Sequence, residues 1–318
     1  MIEGIPKVSV LIICYNQEKV ISRAIDSLLA QRDYIYEICV SDDCSNDRTW
    51  EILQEYSTQY PGFFVLNRNA SNIGIFENIE KTWTMPSGDL VYSLSGDDEC
   101  PEGWFAEVLN YVMYNNINSQ NERFVIYGDY QCMYPSGDSF VFSNKHILSR
   151  LDPVRLSLRG KIGNRSAVCS RSVIDSYKKV SRGKSYIAEC AQDLQLQLFA
   201  KDVYYIPYIG NIYYTRIGVS INMDSSKLKE REELYNYAMK ILIENGYSPK
   251  KKDLAYVRLQ NLKASSYRKK SIGHYWKIII MFVKSFDFTL TLRFFSFKRY
   301  YFALKMRLPH KRPLRIYL

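Results

Sequence analysis

The chain has 318 residues, a formal net charge of +10, 47% hydrophobic and 24% charged residues. These proportions exclude a disordered polymer and fit a folded protein with one large domain and an appendage. The charge is uneven: residues 263–318 hold fourteen Lys or Arg and one acid, Asp287, whereas residues 1–262 hold 29 basic and 32 acidic residues.

The seven cysteines are odd in number, scattered, and form no C-x-x-C pair. Neither a disulfide framework nor a zinc site is indicated, and a reducing compartment is expected. Met1-Ile-Glu-Gly-Ile-Pro-Lys7 lacks a basic segment followed by a long apolar run, so no secretory signal is expected. The longest apolar stretch of the tail, Ile278-Ile-Ile-Met-Phe-Val283, falls well short of the roughly 20 residues of a membrane-spanning helix. The 27 tyrosines suggest a surface that meets sugars, bases or a lipid interface.

Val8–Cys14 is an almost wholly apolar run of strand length, as in a parallel strand buried on both faces. After Tyr15-Asn16-Gln17-Glu18, residues Val20, Ile21, Ala24, Ile25, Leu28 and Leu29 recur at helical spacing. Glu37–Ser41 reads as a second strand, and Asp47 as the N-cap of a helix carrying Trp50, Ile52, Leu53 and Tyr56. Phe63–Leu66 is a third strand and Ile75–Trp83 a third helix. Leu90–Leu94 is a fourth strand, followed by a helix from about Pro101, and Phe124–Tyr127 is a fifth strand. Beyond Gly128 the pattern becomes irregular, with turn signals at 135–138 and 160–163. A helix carrying Asp193-Leu-Gln-Leu-Gln-Leu-Phe199 and a strand-like Val203–Pro207 come next, and from about Ser225 the chain turns helical. Strand–helix alternation with short connections predicts an α/β domain with a mainly parallel sheet, whose ligands sit beyond the carboxyl ends of the strands.

Two acidic clusters lie at such ends. In Val40-Ser-Asp-Asp-Cys-Ser-Asn-Asp-Arg-Thr49, Asp42 is the acid placed to meet a base N–H or ribose hydroxyls. In Ser95-Gly-Asp-Asp98, Gly96 lets the backbone approach a ligand, and Asp97 and Asp98 offer oxygens to Mg²⁺ or Mn²⁺, with a diphosphate completing the shell. A Gly-Asp-Asp turn also occurs in RNA-dependent polymerases, whose bodies are much longer. Asp193, at the start of its predicted helix, reads by itself as a cap, favoured there by the helix dipole. No G-x-x-x-x-G-K-[ST] or G-x-G-x-x-G is present, and none of the three histidines neighbours a nucleophile. In the tail, His274–Lys284 and Leu290–Tyr301 interleave aromatics with Lys and Arg, as in an interfacial helix drawn to anionic lipid; a basic helix packed on the domain fits the same pattern.

Taken in order, these residues resemble the family 2 glycosyltransferases, inverting nucleotide-diphospho-sugar enzymes of GT-A fold. The resemblance covers roughly residues 7–220. It rests on Val8–Glu18, on Ser41–Thr49 (similar to D-D-x-S-x-D-x-T), and on Asn72-Ile-Gly74 with Asn78. It continues through Gly88-Asp89, Leu94–Asp98 at the D-x-D-D motif, Asp193-Leu194, and Tyr214–Ser220 at the closing Y-x-R-x-x-x-S. Ser95 stands where the first Asp of D-x-D is common, and Gln192 where Glu often precedes the base.

The resemblance implies a GT-A domain over 1–222, with a Rossmann-like mainly parallel sheet, and a helical basic extension over 223–318. It implies donor contacts from Tyr15, Asn16, Glu18, Asp42, Asp43, Ser45, Asn72, Gly74, Gly96 and Arg216, metal ligation by Asp97 and Asp98, and Asp193 as general base. The implied partners are a nucleotide-diphospho-sugar and a saccharide, lipid-linked acceptor, with no nucleic acid. The expected location is cytoplasmic, at the inner face of the membrane, with residues 263–318 as the contact. The alternative is a binding module of the same fold without turnover.

Overall fold

The structure is a computed structural model that describes residues 5–149, 152–158, 162–178, 189–215, 225–265 and 272–287. In chain order the elements are β1 (Val8–Cys14), α1 (Ile21–Leu29), β2 (Glu37–Asp42), α2 (Thr49–Gln59), β3 (Phe64–Arg68) and α3 (Ile75–Thr82). These are followed by β4 (Leu90–Ser95), α4 (Trp104–Tyr114), β5 (Phe124–Met133), β6 (Ser139–Phe142), α5 (Pro153–Leu158), β7 (Val168–Ser170) and α6 (Arg171–Asp175). The rest are α7 (Glu189–Phe199), β8 (Asp202–Tyr214), α8 (Ser225–Glu244), α9 (Lys251–Ser265) and α10 (Ile272–Ser285).

The strands form one sheet in the order β3-β2-β1-β4-β7-β5-β6, with β8 paired to β5. The first four are parallel, β7 runs antiparallel to both β4 and β5, and β8 runs parallel to β5. β1 and β2 are buried almost throughout, which explains why they lack polar alternation. The two faces of the sheet are covered differently. Val10, Ile12, Ile38, Val40, Tyr92 and Leu94 pack on one face with Ile25 and Leu28 of α1, Leu53 of α2 and Trp104 of α4. Leu11, Cys39, Val91, Val125 and Tyr127 form the other face with Val173 and Ile174 of α6. A third cluster joins Phe76 of α3, Val154 and Leu158 of α5 and Leu194 of α7 to Ala238, Met239, Ile241 and Leu242 of α8.

Asp47 stands one residue ahead of the cap position Arg48, yet its carboxylate accepts the N–H of Thr49, the first residue of α2, at 3.0 Å. Two local expectations are corrected. The helix expected from Pro101 begins at Trp104, after Gly103 in the left-handed region at φ 85°. Asp193 lies inside α7, which starts at Glu189, so it does not cap that helix. The stretch read as irregular beyond Gly128 continues β5 into a hairpin, whose turn falls at the predicted 135–138 and is closed by Tyr134 N–H donating to the Asp138 carbonyl (2.9 Å).

Candidate active site

The turns after β1 and β2 are stitched together. Asn16 adopts φ 52° and Cys44 φ 61°, conformations that non-glycine residues rarely take and that mark specialised turns. The Asn16 N–H donates to Ser45 Oγ (2.9 Å), Gln17 N–H to Thr49 Oγ1 (2.7 Å) and Glu18 N–H to Asp47 Oδ2 (3.0 Å). In return, Asn46 N–H donates to Asn16 Oδ1 (2.8 Å) and Arg48 N–H to Glu18 Oε2 (3.1 Å). Of the side chains expected to line the donor pocket here, Asn16, Glu18 and Ser45 thus bond to the opposite turn. Tyr15 is 41% exposed.

The two adjacent acids of β2 and its turn face different ways, as period-two geometry requires. Asp42 is fully buried; it accepts from Ser45 N–H (3.1 Å) and the Ser45 hydroxyl, and pairs with Arg68 Nε at 3.4 Å. Its charge, after burial itself, pushes the Cys14 thiol well above the ordinary range. Asp43 reaches towards α3 and accepts from Asn69 Nδ2 (2.9 Å), Ile73 N–H (2.8 Å) and Gly74 N–H (2.9 Å). Gly74 stands at φ 92°, which explains the glycine of the Asn72-Ile-Gly74 stretch. Asn72 is half-buried in that loop. Asn78, one turn into α3, donates to the Ser41 carbonyl (2.9 Å) and accepts from the Ser41 hydroxyl (2.6 Å), locking the helix to β2.

The turn after β4 is equally committed. A Cβ on Gly96 would press on the ends of the Gln17 and Ile21 side chains and lie 3.2 Å from the Ile13 carbonyl, so the turn approaches β1 and α1 closely at this position. Arg23 Nη2 donates to the Asp97 carbonyl (2.5 Å). Asp98 is buried; its carboxylate accepts from Arg165 Nη1 (3.3 Å) and from the Tyr214 N–H (3.2 Å). Arg165 also lies 3.5 Å above the Tyr213 ring, and Arg23 lies 3.7 Å above the Tyr214 ring while pairing with Glu99 at 3.0 Å. The charge of Asp98 is therefore met by the protein's own arginine. Among the described residues no three His, Cys, Asp or Glu side chains converge on one point. A cation at this turn would hence be held mainly by Asp97 and by phosphate oxygens, a donor set that suits Mg²⁺, which is commonly bound by one or two carboxylates plus substrate phosphates.

Asp193 lies beyond the same edge of the sheet. It lines a cavity of about 330 Å³ with Ser95 at the end of β4, Arg165, Tyr130 and an apolar wall that includes Ile13, Ile79 and Trp83. Behind it, Gln197 of the next turn of α7 donates to the buried Tyr127 hydroxyl. Burial and then the charge of Asp193 push the Tyr127 phenol well above its ordinary value. The cavity thus unites Asp193 with Ser95, while Asp42 and Asp43 belong to the neighbouring β1–β2–α3 corner. Arg216 lies outside the described residues. Sequence reading missed Arg165, Arg23 and Tyr130: each belongs to the site through a partner 67 or more residues away or through a local bulge, and no spacing signals it.

The family model "Glycosyl transferase family 2" matches residues 9–156. The putative glycosyltransferase EpsE of Bacillus subtilis is 31% identical over 93 residues, 29% of this chain and 34% of EpsE. Chondroitin synthase of Escherichia coli is 35% identical over 77 residues, 24% of this chain and 11% of the synthase. The chain spans about a third or less of the length of these two curated relatives. Among solved structures, residues 1–349 of S. aureus TarS in complex with UDP-GlcNAc superpose with a TM-score of 0.62 at 16% identity, covering 86% of this chain and 79% of that one. That likeness establishes the fold, a GT-A glycosyltransferase sheet with its flanking helices. The segment that carries β1 to β4 and both acidic turns, residues 9–156, belongs to glycosyl transferase family 2.

Proposed function

We propose that this chain is an inverting hexosyltransferase that moves a sugar from a nucleotide-diphospho-sugar to a saccharide acceptor of a cell-surface polysaccharide. The observation that carries this reading is the shared cavity: Asp193 and Ser95, 98 positions apart, line one space with Arg165. The donor class is supported by TarS, solved with UDP-GlcNAc, and by a dTDP-rhamnosyl transferase of Shigella flexneri that is 25% identical over 127 residues.

In this reading Tyr15, Asn16, Glu18, Asp42, Asp43, Ser45, Asn72, Gly74, Gly96 and Arg216 shape the donor site, some by direct contact and the buried ones by fixing the turns. Asp97, with Asp98 beside it, holds the cation. Bound Mg²⁺ or Mn²⁺ supplies Lewis-acid neutralisation of the departing diphosphate. The Asp193 carboxylate takes the proton of the acceptor hydroxyl as its oxygen bonds to the anomeric carbon. The bond from that carbon to the diphosphate oxygen breaks, and the nucleoside diphosphate leaves with the electron pair. A positioned carboxylate contributes about 10²–10⁴-fold in such a step. Asp193→Asn should therefore abolish transfer from UDP- or dTDP-sugars while donor binding by thermal shift persists; full turnover in that variant removes the assignment. Lack of cation-dependent donor turnover in the wild type across a panel of acceptors favours the non-catalytic binding module.

The acceptor is lipid-linked in this reading, and the protein works as a peripheral enzyme at the inner membrane face. The support is α10. Tyr275, Trp276, Ile279, Ile280, Phe282 and Val283 are 46–66% exposed, and at about 100° per residue they cover an arc of roughly 160°. His274 and Ser285 lie on the opposite, buried side, and Lys277 and Lys284 sit at the border. An exposed aromatic–aliphatic arc bordered along one edge by lysines fits an interfacial helix on anionic lipid. Among the described residues no helix is long and apolar enough to cross a membrane. Ile279→Glu with Val283→Glu should release the full chain from phosphatidylglycerol vesicles in a flotation assay; continued flotation overturns the membrane contact.

A further inference from the structure

Ser93 stands within β4, a central strand flanked by β1 and β7, and is nevertheless exposed. Alternation puts Val91 and Ser95 on the same face of the sheet, and the β1 register sets Leu11 beside Ser93 and Ile13 beside Ser95. The space over Ser93 is the cavity of Asp193, which all five of these residues line. The small side chains of Ser93 and Ser95 keep it open towards the carboxyl end of the strand.

The walls differ from this floor. Ile75 and Ile79 of α3, with Trp83 just past it, recur at helical spacing, and α7 adds Leu196 nearly one turn beyond Asp193. The polar lining residues among those described are Asp193, Arg165, Tyr130, Ser93, Ser95 and Thr82. The Thr82 hydroxyl is spent on the Asn78 carbonyl of its own helix (2.6 Å). A substituent that meets Ile75, Ile79 or Leu196 meets only hydrocarbon. The volume, about 330 Å³, lies at the small end of ligand pockets, roughly 300–1,000 Å³, and suits one sugar ring better than a chain. Ser95 stands two positions before Asp97, where the cation and diphosphate are read, so the ring bonded to that diphosphate is the one that reaches the cavity.

We propose that the cavity holds the sugar ring being transferred and selects a ring that carries a methyl group, as a 6-deoxy carbon or within an acylamino substituent, over a hexose with a hydroxyl at every position. The proposal rests on the glycosyltransferase reading and adds Ile79 and Leu196 to it as specificity-determining residues. Asp193 marks the place of the anomeric carbon, because the acceptor oxygen it deprotonates bonds there. Residues three apart on a helix stand about 5–6 Å from each other, so Leu196 lies within reach of a substituent on that ring. A methyl group leaves water there at a gain, whereas a hydroxyl gives up its hydrogen bonds to water and meets carbon. One such group in an apolar pocket is worth roughly tenfold to a hundredfold in selection.

Isothermal titration calorimetry of the full chain with Mg²⁺ tests this on matched donors: UDP-glucose against UDP-N-acetylglucosamine, and dTDP-glucose against dTDP-6-deoxyglucose. At least one methyl-bearing donor should bind about tenfold or more tighter than its hydroxylated partner, and the pair in which this occurs tells acylamino from deoxy. Ile79→Thr places a hydroxyl in the wall with little change of volume and should bring that ratio down towards one. Ile79→Val keeps the wall apolar and should keep the ratio. Equal binding within both pairs, tighter binding of the hydroxylated members, or a ratio that Ile79→Thr leaves intact overturns the selection. Failure of UDP, dTDP and all four donors to bind sinks the transferase reading and the selection with it, whereas nucleotide binding without a choice of sugar sinks the selection alone.

Discussion

Asp42, Asp43 and Asp47 stand within six positions and act on three different parts of the molecule. Asp42 ties its own turn to Arg68, Asp43 receives the N–H groups of Ile73 and Gly74 ahead of α3, and Asp47 joins the β1 turn to α2. Asp43→Ala leaves two backbone donors in a buried corner without an acceptor, and each such loss costs about 1–3 kcal/mol. A drop of about 2 kcal/mol or more in urea-unfolding free energy is expected, with Asp43→Asn, which keeps one acceptor, falling between. Asp47 supplies a pH signature. Burial pushes its carboxyl up, but hydrogen bonds from the Thr49 hydroxyl and from the Glu18 and Thr49 N–H groups outweigh it and hold the group below its ordinary 3.8. A depressed carboxyl stabilises the fold above its unfolded value and loses that contribution as pH falls through the folded one. The difference in stability between pH 5 and pH 3 should therefore shrink in Asp47→Asn, as read by urea titration at both values; an unchanged difference contradicts the assignment. The acid cluster was legible as a cluster, but its division of labour was not. Whether a carboxylate serves a ligand or the protein depends on N–H groups some thirty residues away, as Ile73 is from Asp43.

At the scale of elements, legibility followed burial on both faces. β1, β2 and β4 stood out as uninterrupted apolar runs, and α1 and α3 as stripes at helical spacing. β7 is three residues long and too short to show a period. The outer half of β5, Gly128-Asp-Tyr-Gln-Cys-Met133, has neither an apolar run nor a clean alternation, which hid its continuation ahead of a turn signal. The link between α5 and the C-terminal helices was also invisible. Arg155, 8% exposed, donates to Asp253 of α9 (2.6 Å) and to Asp287 just past α10, partners 98 and 132 positions away. Arg155→Met removes the cation that these two buried carboxylates share, and should cost about 3–5 kcal/mol in chemical denaturation. Arg155→Met with Asp253→Leu and Asp287→Leu should recover most of that loss, because an apolar trio of similar volume avoids desolvating charge. A triple variant as unstable as the single one would assign the damage to packing instead of charge.

For the molecule as a whole, the helix α8 beyond residue 222 packs with α3, α5 and α7. Leu194, adjacent to Asp193, shares a buried cluster with Ala238, Met239, Ile241 and Leu242 of α8, and all five are at most 7% exposed. Phe76, at the start of the helix that Asp43 anchors, belongs to the same cluster. The C-terminal helices therefore buttress both α7, which carries Asp193, and α3, which frames the cavity. Cutting the chain after residue 222 uncovers that face of Leu194, Phe76, Val154 and Leu158, and large-to-small losses in such cores cost about 2–5 kcal/mol per side chain. The fragment 1–222 should melt at lower temperature and bind a hydrophobic dye. It should also lose transfer far more than it loses donor binding, since the β1–β2 corner stands apart from this cluster. Leu242→Ala in the full chain separates the buttress from any membrane role: it should lower stability within that same range and reduce turnover while vesicle flotation through α10 persists. Retained turnover and stability in Leu242→Ala would show that α8 merely leans on the domain.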